Sequence, residues 1–62
     1  MAKIGDKIRI IHMEGETGYD GREGVITSID EPYPPGNILE QWHGTWGGLA
    51  VQPWRDKWEA VK

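Results

Sequence analysis

Apolar residues in this chain recur at every second position in short bursts, and glycine or proline separates the bursts. Lys7 to Met13 is rich in β-branched residues, with Ile8 and Ile10 alternating against charged Lys7 and Arg9. Gly5-Asp6 marks its start as a turn pair. Glu14 to Gly24 follows, polar and punctuated by Gly15, Gly18, Gly21 and Gly24, which predicts a long irregular loop. Gly24 to Asp30 reads as a second strand, with Val25, Thr27 and Ile29 on one face and Ile26 and Ser28 on the other. Pro32, Pro34 and Pro35 end it, because a central ladder does not tolerate proline, and Pro35-Gly36 suits the middle of a type II turn. Asn37 to Trp42 is a third strand, His43 to Gly48 a glycine-rich hairpin connection, and Leu49-Ala50-Val51 a fourth strand that Pro53 stops. Trp54-Arg55-Asp56 predicts one 3₁₀-like turn, and Lys57 to Val61 a fifth strand.

Nothing in the pattern supports a helix of three turns. Five short antiparallel strands satisfy their edges best by curling, so the expected fold is all-β: a small five-stranded barrel, one domain over residues 1–62. At this length burial on folding is limited and stability is thin. With no cysteine, disulfides and thiolate zinc sites are excluded, and two histidines are too few for a histidine-only metal cage. No metal or cofactor is expected. The core must rest on packing, with four tryptophans and two tyrosines as its largest material.

Charge narrows the partners. Ten acidic residues outnumber seven basic ones, and the basic ones are scattered without a run, which disfavours nucleic acid. No stretch approaches the apolar length needed to span a bilayer, and residues 1–6 lack the apolar segment of a signal peptide. The expected location is cytoplasmic.

Gly5-Asp6-Lys7-Ile8-Arg9-Ile10, a loop, then Gly21-Arg22-Glu23-Gly24-Val25-Ile26 and Ile29-Asp30 resembles the KOW motif, which reads G-D-x-V-x-V, a loop, and G-x-x-G-x-V. Over nearly its full length the chain also resembles a family of short, functionally unassigned domains of Gram-positive bacteria and their phages. The residues that carry this second resemblance are His43 to Pro53 and the final Asp56-Lys57-Trp58-Glu59-Ala60-Val61. Both imply an SH3-like barrel. The KOW resemblance alone implies binding of RNA or protein. This chain departs from that pattern in its first loop, where Glu14-Gly15-Glu16-Thr17-Gly18-Tyr19-Asp20 is acidic rather than basic and would repel phosphate.

The tryptophans divide by context. Trp42 and Trp58 lie on strands and are expected in the core. Trp46 lies in a glycine-bracketed turn and Trp54 follows a proline, so both are expected near the surface, with packing and binding both open. In an SH3-like barrel Tyr19, Trp46 and Trp54 would converge on one face, and these three with His43 and Arg55 are the candidate binding residues. Residues 43–48 lack the Gly-Lys-Ser/Thr ending of a phosphate loop, and the acids of the first loop lack calcium-loop spacing. No motif sets a histidine beside Ser28, Thr17, Thr27 or Thr45, so catalysis is not expected. The sequence therefore points to a non-catalytic binding module that engages a protein or other ligand through a Trp/Tyr face. An RNA- or ribosome-associated KOW-type module is one alternative. A phage counter-defence protein, blocking a host protein or sequestering a small nucleotide signal as an oligomer, is another. Homo-oligomerisation through the last strand or the proline loop is compatible with each.

Overall fold

In a computed structural model, which describes residues 2–30 and 40–62, four strands form one antiparallel sheet. They are β1 (Lys7–His12), β2 (Glu23–Asp30), β3 (Gln41–Gly44) and β4 (Lys57–Ala60), in the spatial order β3-β2-β1-β4. Residues 23–25 of β2 pair with β1, and residues 26–30 pair with β3. One strand thus serves two neighbours in succession, and the sheet must turn along it.

Two bulges decide which side chains face inward. On β1, Ile10 pairs with Trp58 but His12 with Lys57, so Ile11 is an extra residue. On β2, Ile26 pairs with Gly44 but Ser28 with His43, so Thr27 is extra. An extra residue shifts the alternation by one and bends the strand. The inward set on β1 becomes Ile8, Ile10 and then Met13, all buried, with Ile11 turned outward. On β2 it becomes Gly24, Ile26 and then partly buried Ile29. The expected grouping of Val25 and Ile29 on one face is corrected by this bulge: Val25 is outward and Ile29 packs on the core.

Among the described residues, the core consists of Ile8, Ile10, Met13, Ile26, Trp42, Trp46 and Val51, with Ala2, Tyr19, Ile29 and Trp58 packed against it. Trp42 and Trp58 meet edge to face, with ring centroids 4.7 Å apart, a geometry that adds to their area burial.

Several expectations are corrected. The strand expected at 49–51 is a single bridge, in which Val51 exchanges both backbone hydrogen bonds with Trp42, each of 2.8 Å. Leu49 and Ala50 do not join it. Five strands therefore become four plus a bridge, and among the described residues the sheet ends at β3 and β4 without closing. The third strand begins at Gln41 and runs on to Gly44; its expected first residues, 37–39, and the proline turn at 31–36 lie outside the described residues. Before β4, the Gln52 carbonyl accepts from both Arg55 and Asp56 N–H groups, giving a hydrogen-bonded turn. Its Gln52–Arg55 bond spans three residues, as in the 3₁₀-like turn expected there, and a 3₁₀ helix lies also at Thr17–Tyr19, inside the loop expected to be irregular. No helix among the described residues is long and apolar enough to cross a membrane.

Candidate functional site

The turn before β4 is tied to the first loop by one carboxylate. Asp56 is 5 % exposed. Its Oδ1 accepts the Glu14 backbone N–H at 3.0 Å and Arg55 Nε at 3.1 Å, and its Oδ2 accepts the Gln52 N–H at 2.9 Å. Burial opposes ionisation, but the two backbone N–H groups and the adjacent guanidinium outweigh it and hold the Asp56 pKa below the ordinary carboxylate value. A charged group this enclosed persists only when its lone pairs are met, and here they are. Asp56 thus pins two segments that are far apart in sequence.

Between those segments runs a groove of about 340 Å³, lined by residues 13–16, Gln41, 49–50, Gln52 and Arg55. Glu14 and Glu16 make one wall acidic. Leu49 supplies exposed apolar surface, with 43 % of its area in solvent. Gln52 leaves its side-chain oxygen buried with no hydrogen-bond partner among the described residues. Trp54, next to Arg55 in sequence, is 53 % exposed. Its indole Nε1 donates to the Glu40 carbonyl at 3.1 Å, and its ring centroid lies 5.9 Å from the Arg55 guanidinium carbon.

Trp46 occupies a different place from the one its glycine-rich turn implies. It is 3 % exposed, and its Nε1 donates to the Leu49 carbonyl at 2.8 Å. Space for the ring comes from two strand glycines. A Cβ on Gly44 would collide with ring atoms Cζ3 and Cη2 of Trp46, and one on Gly24 would lie 2.7 Å from the Trp46 backbone nitrogen and 3.0 Å from its ring Cε3. Of the two readings left open for Trp46, the structure shows packing: it is a core residue. A glycine within a strand often marks a close approach by another group, and Gly24 in β2 was the sequence signal for this slot.

Tyr19 does reach the Trp46 turn, as packing. Arg22 lies 4.3 Å above the Tyr19 ring and donates to the Trp46 carbonyl at 2.9 Å. A Cβ on Gly47 would fall 2.8 Å from the Tyr19 hydroxyl. His43 does not line the groove; its Nε2 pairs with Asp30 Oδ2 at 2.9 Å on the outer side of β2 and β3. Of the five candidates, then, partly buried Tyr19 and buried Trp46 lie about the same turn, and Arg55 lines the groove with its exposed sequence neighbour Trp54 outside the lining, while His43 is apart. Sequence reasoning missed Leu49, Gln41 and the bridging role of Asp56. The last has no local signature, because its partners come from another loop.

Several basic side chains are paired with acids. Lys3 pairs with Asp6, Lys7 with Glu23, and Arg9 with both Glu23 and Glu59 across three strands. Arg22 is spent on Tyr19 and the Trp46 carbonyl. Both histidine rings face carboxylates, His12 at Asp20 and His43 at Asp30. The Thr27 hydroxyl donates to the His43 carbonyl and that of Thr45 accepts the Val25 N–H. Among the described residues, no group of three or more metal-binding side chains stands together.

No family model, curated protein or solved structure matches this chain.

Proposed function

We propose that the chain is a non-catalytic binding module with an SH3-like, KOW-like bend to its sheet, and that it engages a protein partner across the groove beside Trp54. Trp54 carries this reading: a large aromatic side chain, half in solvent, whose orientation is already fixed by a hydrogen bond. Aromatic anchors next to excluded-water contacts are the usual hot spots of protein recognition. Leu49 adds apolar contact, and the Glu14 and Glu16 wall favours a basic residue in the ligand. An extended segment carrying an apolar side chain beside a lysine or arginine fits this chemistry.

The non-catalytic part is supported by the engagement of both histidine rings and of the Thr27 and Thr45 hydroxyls in structural contacts. Protein is preferred over nucleic acid because Lys3, Lys7 and Arg9 are interleaved with acids, which removes the field that phosphates require. The test is capture of partners from a lysate with the wild-type chain beside Trp54→Ala, and passage of the wild type over heparin. Loss of the captured protein with Trp54→Ala, and no heparin retention, is the expected result. Equal capture by both chains, or salt-sensitive heparin binding, would overturn the proposal in favour of another face or of nucleic acid.

A further inference from the structure

The exposed side of β4 has a backbone pattern, an apolar flank and a charge order that fit one another. β4 has β1 as its single strand neighbour among the described residues. Ile8 pairs with Ala60, Arg9 with Glu59 and Ile10 with Trp58, and the Val61 N–H donates to the Lys7 carbonyl at 2.9 Å. In an antiparallel ladder this alternation turns the N–H and C=O of Glu59 and Val61 toward β1. The N–H and C=O of Trp58 and Ala60 then point away from the sheet. Exposed edges of this kind are templates for another strand.

The same strand leaves apolar surface uncovered. A hollow of about 130 Å³ lies along it, lined by Ala2, Asp6, Ile8, Trp58 and Ala60. Trp58 is partly buried, its ring resting on Trp42. None of these residues belongs to the groove beside Trp54, so this surface is independent of the proposed partner site.

We propose that this edge pairs with the same edge of a second copy of the chain, antiparallel and two-fold about Trp58. In that register Trp58 of each copy exchanges backbone hydrogen bonds with its counterpart, using the groups that point outward. Lys57 of each copy then stands opposite Glu59 of the other, on the outer face, in two symmetric pairs. The nearest alternative, centred on Glu59, sets two carboxylates face to face and is disfavoured. Edge lysines usually discourage strand addition; here the lysine selects one register of one partner. The two Trp58 rings meet on the apolar side and cover the hollow.

The test uses charge reversal read by sedimentation across a concentration series, with circular dichroism to verify folding. The wild type is expected to dimerise as concentration rises. Lys57→Glu alone and Glu59→Lys alone each set like charges in both pairs, and each should weaken self-association by about tenfold or more. An equimolar mixture of the two variants restores opposite charges in both pairs and should form a heterodimer. Should Glu59→Lys not fold beside Arg9, Glu59→Gln takes its place, and its mixture with Lys57→Glu should still associate more tightly than Lys57→Glu alone. A wild-type chain that stays monomeric at every concentration overturns the proposal. So does a dimer indifferent to both reversals, which would use another surface.

Discussion

Replacing Asp56 by asparagine changes one charge at the joint between the first loop and the turn before β4, with almost no change in shape. The carboxylate accepts two backbone N–H groups and one guanidinium N–H. Asparagine keeps one oxygen and presents an NH₂ group where the other stood. One backbone N–H, from Glu14 or Gln52, must then face a donor in a buried setting. Hydrogen bonds to a charged group contribute about 1.5–3 kcal/mol, and leaving one buried donor unmet costs about 1–3 kcal/mol. Asp56→Asn should therefore lower stability by about 2–3 kcal/mol near neutral pH, a large share of what a domain this small possesses. Urea unfolding followed by tryptophan fluorescence measures it. The pH dependence adds a second constraint. The pKa of Asp56 is depressed in the folded state, so its stabilisation is fully present above the unfolded value of about 3.9. It is lost as pH falls through the lower, folded value. The gap between wild type and Asp56→Asn should thus narrow at strongly acid pH. Asp6 and Glu23 are also depressed, by hydrogen bonds from Lys3 and from Arg9 and Lys7, so the variant keeps some acid sensitivity. A variant as stable as wild type near neutrality, or a gap that stays constant on acidification, would refute the joint.

Two further substitutions separate core from surface. Trp46→Ala removes a ring that is nearly enclosed and a hydrogen bond to Leu49; it should cost about 3–5 kcal/mol and leave the chain largely unfolded by circular dichroism. Trp54→Ala, at a half-exposed position, should change the unfolding midpoint little. Gly44→Ala pushes a methyl group into the Trp46 ring and the Val25 carbonyl and should cost about 1–3 kcal/mol in the same urea assay.

How far this was legible in the sequence depended on the range of the interactions involved. β1, β2 and β4 were readable because alternation and β-branching are local, as in Ile8, Ile10 and Ile26. The bulges at Ile11 and Thr27 were not, since an extra residue exists only relative to the partner strand's bonding. They move Met13 and Ile29 inward and so change the core. Leu49-Ala50-Val51 looked like a strand by composition, but only Val51 finds a partner, and Leu49 instead becomes part of the groove wall. Trp46 misled because its neighbours in sequence are glycines, which signal a turn. Of the glycines that matter for its burial, Gly24 sits far off on β2, and Gly44, which ends β3, read as one of those turn glycines. Trp54 read as a surface residue because Pro53 ends the preceding segment, and its exposure agrees with that.

The fate of the four tryptophans bears directly on where a partner can be held. Trp42 and Trp46 are enclosed, and Trp58 is committed to Trp42 by edge-to-face contact. A core without cysteine or phenylalanine needs that much aromatic area, so substituting any of these three tests folding before it tests binding. Trp54 differs because its indole N–H is held by a backbone carbonyl while the ring stays half in solvent. Immobilising a side chain at an interface costs about 0.5–1.5 kcal/mol, and part of that cost is already met when the chain folds. Asp56 supports the same economy one step away, since it fixes Arg55 and the wall formed by Glu14. A partner that docks on Trp54 therefore meets a surface that needs little further ordering, and an Asp56→Asn chain that still folds should bind more weakly although no contact residue has changed. Measuring partner affinity of that variant against Trp54→Ala separates the two roles. Trp54→Ala should lose affinity with stability kept, whereas Asp56→Asn should lose both together.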